Sequence, residues 1–165
     1  MATTGTESLP ASDQEILLSR VFDAPRELVF EAFTRPEHVV HWWGPNDFTI
    51  TIHEMDVRPG GVWRLTLHGP NAMNFENRIV FLEVVPPQRL VYEHGSSEGD
   101  PDFRTTVTFT EDGPRTRITF RMLFPTAAAR DYVAKEFGAI DGGKQTLDRL
   151  AAYLVDLAKP RSTSS

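Results

Sequence analysis

Several small groupings of reactive side chains stand out in the 165-residue chain. His94 is followed by Gly95, Ser96 and Ser97, which sets an imidazole base beside two hydroxyls, the raw material of nucleophilic catalysis. No acid is placed to orient that base, and Gly95, Ser96, Ser97 and Gly99 are ordinary loop formers, so a polar loop is the simpler reading. His38 and His41 stand three apart on an expected helix, half of a zinc site, but no third ligand lies nearby in sequence. Glu54 and Asp56 share one strand face as a paired-acid site would, yet Arg58 and Arg64 account for them as ion-pair partners. Tyr92 and His94, two apart on one strand face, are groups that could hold or move a proton, with Arg78 as a third.

The chemistry is narrowed further by what the chain lacks. No Gly-x-Gly-x-x-Gly follows a strand, no Gly-x-x-x-x-Gly-Lys-Ser/Thr occurs, and no Gly-x-Ser-x-Gly elbow is present, so no cofactor is expected. Without cysteine there is no thiolate nucleophile and no disulfide framework, which fits a reducing, cytoplasmic setting. The formal net charge of -6, with acids and bases interspersed, offers no basic stripe for nucleic acid. Charges or prolines interrupt every hydrophobic segment, so no membrane span is expected.

The elements that must position these groups follow from periodicity. Residues 1–12 read as a loose tail, residues 13–158 as one domain, and residues 159–165 as a second tail. Residues 14–22 form a strand that runs into a helix, with Asp23 as its cap and Pro25 in its first turn. Pro36 separates this helix from a shorter one over residues 37–43. Strands are expected over residues 48–57, 62–68, 73–85, 89–94, 103–110 and 116–124, punctuated by Gly- and Pro-rich turns. From Thr126 the period changes: Val133, Phe137, Ile140, Leu147, Leu150, Leu154 and Leu157 form one helical stripe. About 30 residues at 1.5 Å each make a helix of about 45 Å, enough to cross a whole sheet.

Alternation also sorts the strands into faces. Trp63, Leu65 and Leu67 share one; Leu90, Tyr92 and His94 another; Phe103, Thr105, Val107 and Phe109 a third; Ile118, Phe120, Met122 and Phe124 a fourth. These large apolar sets must oppose the helical stripe and would form core by default. Gly142 and Gly143 interrupt that stripe where bulk is expected, at about 1 kcal/mol each relative to alanine. They allow either close approach to the sheet or room for a guest or an indole. His53, Arg78 and Gln145 join Tyr92, His94 and Thr105 as groups that could orient such a guest.

All three tryptophans fall in His41-Trp42-Trp43-Gly44-Pro45 and in Asp56-Val57-Arg58-Pro59-Gly60-Gly61-Val62-Trp63-Arg64. Trp-Trp-Gly-Pro followed by Arg-Pro-Gly-Gly-Val-Trp-Arg resembles the Hsp90 ATPase activator homologue family, of the START-like, Bet v 1-like (SRPBCC) group. The resemblance runs from roughly residue 15 to residue 157. It implies an α+β helix-grip fold: a curved antiparallel sheet of about six to seven strands, two short helices after the first strand, and a long C-terminal helix across the sheet. Arg58, Pro59, Gly60 and Gly61 then fix a hairpin. The family pattern has Gly-Trp where this chain has Gly142-Gly143, a departure that would enlarge or reshape an interior space.

The function this implies is binding of a small hydrophobic molecule, with Trp42, Trp43, Trp63, Leu65, Tyr92, His94, Phe103, Thr105, Phe120, Met122, Phe137 and Gly143 as site residues. Kinship to the Hsp90 activator offers a second reading, a chaperone-interaction module, although fold analogy is a weak warrant for activity. A third reading is polyketide cyclase or dehydratase-like chemistry, with Tyr92, His94 and Arg78 to test. Monomer and homodimer both remain open.

Overall fold

The computed structural model describes residues 6–9, 11–95, 101–136 and 138–158. Segments that alternate buried and exposed residues become strands: β1 (Glu7–Leu9), β2 (Glu15–Phe22), β3 (Thr49–Met55), β4 (Val62–His68), β5 (Asn74–Val85), β6 (Arg89–Gly95), β7 (Phe103–Asp112) and β8 (Arg115–Leu123). They pair antiparallel in the order β1-β2-β8-β7-β6-β5-β4-β3. With the helices on one face, this is an α+β helix-grip fold with eight strands. The additional strand, β1, lies in the stretch expected to be a loose tail; it pairs Glu7 with Ser19 and Leu9 with Leu17. Three residues with two exposed carry no periodic signal, which is why the pattern hid it.

Between β2 and β3 run α1 (Arg26–Thr34) and α2 (Pro36–Val39). Pro25, not Asp23, occupies the N-cap of α1, and no side chain caps it. The proline carbonyl accepts from Leu28 N and Val29 N at 3.0 and 3.1 Å, so the backbone closes the first turn itself. Pro36 opens α2 as expected, since a first-turn N–H has no partner to lose. The Pro59-Gly60-Gly61 turn docks on β5: Gly60 N donates to Phe81 O and Phe81 N to Gly61 O, at 2.7 and 3.0 Å. A Cβ on Gly61 would collide with the Asp56 carbonyl.

The C-terminal stripe is two helices rather than one, α3 (Ala127–Glu136) and α4 (Ala139–Ala158). Gly138 separates them at φ +57°, a left-handed conformation that ends a helix and suits glycine. The 20 residues of α4 span about 30 Å. Leu147, Leu150 and Leu154 are buried beneath it, each contributing about 1.5–3 kcal/mol. No helix among the described residues is long and apolar enough to cross a membrane.

Register identifies the face that α4 covers. Trp63 pairs with Ile79, Tyr92 with Thr105, Thr105 with Met122, Val107 with Phe120 and Phe120 with Leu18, all on one side. One end of this face is filled from α1 and the residues after α2. Phe30 and Phe33 each meet Phe109 at 5.2 Å, and Phe33 meets Trp42 at 4.8 Å in edge-to-face geometry. Trp42 is fully buried, with Nε1 donating to Ala32 O at 3.0 Å.

Candidate functional site

At the other end of the same face the sheet and α4 leave a space between them. A cavity of about 510 Å³ lies between the sheet, α4 and residues 44–48. The strands furnish its floor: Tyr92 and His94 from β6, Phe103 and Thr105 from β7, Phe120 and Met122 from β8. Gly142, Gly143, Thr146 and Leu147 form its roof, and Val133 of α3 adds to the wall. Trp42 and Trp43 stand where the filled end begins, and Phe48, Leu67 and Phe75 border the space beside them. The Phe48 and Phe75 rings lie 6.4 Å apart.

Nine of the twelve expected site residues therefore line one space: Trp42, Trp43, Tyr92, His94, Phe103, Thr105, Phe120, Met122 and Gly143. Trp63 and Leu65 do not; they are buried in the filled half, where Trp63 packs edge-on against Trp43 at 4.7 Å. Phe137 lies outside the described residues, as do Ser96 and Ser97. Sequence reasoning passed over Phe75 and Asn77, although they alternate in step with Ile79 and Phe81 along β5, a signal that extending the period would have exposed. The contribution of Gly44, Pro45 and Phe48 had no such signal, because loop residues follow no period.

The two helical glycines separate into different roles. A Cβ on Gly143 would come 2.6 Å from Leu18 Cδ1, so this position permits close approach of α4 to β2. A Cβ on Gly142 would meet Pro45 at an ordinary 3.8 Å. Both also border the cavity, so close approach and open space coexist within one helical turn.

Residues 44–48 are held in place by α4. Arg149 Nη1 donates to the carbonyls of Gly44, Pro45 and Phe48 at 2.8, 3.0 and 3.2 Å. One turn earlier, Gln145 Oε1 accepts from Asn46 N at 3.0 Å. Burial lowers the Arg149 pKa, and the charge of Asp47 opposes that shift. Gly44 at φ +101° supplies the reversal that brings its carbonyl to Arg149. Below this, His38 Nδ1 lies 2.6 Å from the Tyr153 hydroxyl and His41 stacks on the Tyr153 ring at 5.2 Å. The histidine pair, one from α2 and one from the turn after it, is thus a clasp onto α4. Burial and the Glu37 charge raise the Tyr153 pKa.

Polar groups in the cavity wall are few. Tyr92 is 2% exposed and Thr105 1%. Burial pushes the Tyr92 phenol well above its ordinary pKa; the Thr105 hydroxyl moderates the shift without reaching hydrogen-bond geometry. His94 Nε2 lies 2.6 Å from Asn77 Oδ1, and its ring packs on Phe103 at 5.0 Å. Burial lowers the His94 pKa to about 4. The partner of His94 is an amide rather than a carboxylate, so no acid orients this imidazole among the described residues.

The remaining polar residues face elsewhere. His53 Nε2 lies 2.7 Å from Thr66 Oγ1 on the face opposite Leu65 and Leu67, and Arg78 pairs across from Arg64 on that same outer face. Glu54 bonds Arg64 at 2.9 Å and Asp56 bonds Arg58 at 2.7 Å, so the two acids are exposed ion-pair partners.

Comparison with known proteins agrees with this architecture. A family model described as activator of Hsp90 ATPase homolog 1-like protein matches residues 23–155. The chain belongs to that family. Among solved structures, this activator-homologue protein is similar to one from Mycobacterium smegmatis (TM-score 0.83, 23% identity, covering 92% of this chain and 98% of that one). A Nitrosomonas europaea protein superposes with TM-score 0.79 at 24% identity over 90% and 98% of the two chains. An AHSA1 protein from Silicibacter pomeroyi gives 0.71 at 18% over 87% and 99%. At these identities the likeness speaks for the helix-grip fold alone. No curated protein sequence matches the chain.

Proposed function

We propose that this activator-homologue protein binds a small, largely apolar molecule between the concave sheet face and the glycine-bearing turn of α4. The observation that carries this reading is the cavity of about 510 Å³, walled mainly by aromatic and aliphatic side chains and by two helical glycines. Ligand pockets typically fall between about 300 and 1,000 Å³, with few polar groups among many apolar ones. Protein interiors are on average close-packed, so a space of this size over half of a sheet face is one that a guest would fill. Covering each 100 Å² of such a wall contributes roughly 2.5 kcal/mol.

The test is a titration with the uncharged fluorophore N-phenyl-1-naphthylamine, alongside native mass spectrometry of gently purified protein. Saturable 1:1 binding is expected. The cavity-filling variant Thr146→Phe should weaken it by about tenfold or more, because the added ring occupies the space. Wild-type protein that neither carries an adduct nor binds the fluorophore would sink the reading.

A further inference from the structure

The polar atoms of the cavity differ in how far an occupant can reach them. Tyr92 and Thr105 are 2% and 1% exposed, and the Tyr92 hydroxyl is sealed behind its neighbours. Asn77 is engaged at both ends, donating from Nδ2 to Phe75 O at 3.1 Å and meeting His94 through Oδ1 at 2.6 Å. Thr146 donates to Gly142 O at 2.8 Å. His94 is half-buried in the wall and is bonded through Nε2 alone among the described residues.

The protonation of that ring follows from the network. Asn77 Nδ2 faces a carbonyl, so its Oδ1 must be the atom facing His94, and Oδ1 can only accept. The proton therefore sits on Nε2. With the pKa lowered to about 4, the ring is neutral at physiological pH. Nδ1 then carries a lone pair, and it has no hydrogen-bond partner among the described residues.

Charge narrows the guest further. Among the described residues, the charged ones in the lining are Glu76 and Asp102, both acidic and both exposed. Arg149 is spent on three carbonyls of residues 44–48 and is not part of the lining. A carboxylate in this space would lose its water and find no cation to replace it.

We infer that the occupant is an uncharged apolar molecule bearing a hydroxyl, an alcohol or phenol whose O–H donates to His94 Nδ1, and that anions of the same shape are rejected. This rests on the cavity-binding reading above and adds the chemical class to it. His94 is in this scheme a binding residue, Asn77 the positioning residue that fixes its tautomer.

Three flat probes of matched shape separate the possibilities at pH 7.5: 2-naphthol, naphthalene and 2-naphthoate, each competing with N-phenyl-1-naphthylamine. Wild-type protein should bind 2-naphthol about tenfold more tightly than naphthalene, the effect of one well-formed buried hydrogen bond. 2-Naphthoate should bind at least about tenfold more weakly than 2-naphthol, since its charge stays unpaired. His94→Phe should erase the preference for 2-naphthol over naphthalene while leaving naphthalene binding in place. Equal binding of 2-naphthol and naphthalene, or naphthoate binding as tightly as naphthol, overturns the inference but leaves the cavity reading standing. A naphthol preference that survives His94→Phe also overturns it. If His94→Phe does not fold, the wild-type comparison decides by itself. Failure of every probe overturns both.

Discussion

The two ends of the concave face are built from the same materials and reach opposite outcomes. At one end Phe109 and Trp42 are sealed by Phe30 and Phe33, and Trp63 by Trp43; at the other Phe103, Phe120 and Met122 line open space beneath Gly142 and Gly143. Strand residues are large and apolar in both halves. What differs is the element laid over them: α1 brings two phenylalanines, whereas the first turns of α4 bring two glycines and a threonine. A sheet decides which side chains face inward, and the helix above decides whether they touch anything.

That contrast can be broken experimentally, beginning where the effect is greatest. Phe109→Ala in the filled half should cost about 3–5 kcal/mol in urea unfolding, because it opens a void in a close-packed layer. Phe103→Ala, on the cavity side, should cost less than about 2 kcal/mol, since its lost contacts border space that is already empty. Equal costs would erase the distinction between the halves.

The next test uses acid. The folded-state pKa of His94, about 4, lies below the ordinary value of 6.5, so the unfolded chain binds the proton more readily. Stability is then fully present above about pH 6.5 and falls as pH drops toward 4, by on the order of 2 kcal/mol. Urea titrations of wild type and His94→Phe at pH 7.5 and pH 4.5 isolate this term. The stability gap should shift in favour of the variant at the lower pH; a gap independent of pH would mean that His94 is hydrated as well folded as unfolded.

Removing the grip on residues 44–48 probes how the open half keeps its shape. Arg149→Met should lower stability by about 2 kcal/mol through loss of charged hydrogen bonds to carbonyls. It should also speed amide exchange at Asn46 and Phe48 by hydrogen-exchange mass spectrometry, with the filled half unaffected. Smallest are the glycines. Gly142→Ala should raise stability by about 0.5–1 kcal/mol, since its Cβ meets Pro45 at 3.8 Å. Gly143→Ala should lose about 1 kcal/mol, because buried Leu18 must move to admit a Cβ.

The sheet was legible in the sequence because strand alternation is local: the four inward-facing sets, from Trp63-Leu65-Leu67 to Ile118-Phe120-Met122-Phe124, each occupy one side of the observed register. The Trp-Trp-Gly-Pro and Arg-Pro-Gly-Gly-Val-Trp-Arg motifs pointed to the family whose model matches residues 23–155. The interior was less legible. Trp63 and Leu65 have the same type and alternation as true lining residues, and only the distance to Trp43 shows that they are packed away. Gly143 could be recognised as anomalous, but its contact is with Leu18, 125 positions earlier, which no window along the chain can see. The break at Gly138 was hidden because an apolar stripe continues in phase on both sides of it.

The three hydrogen bonds from Arg149 have a mechanical consequence. One guanidinium ties the carbonyls of Gly44, Pro45 and Phe48 to a single helix, and Gln145 adds Asn46 one turn away, so the rim of the cavity is fastened to the same rod that roofs it.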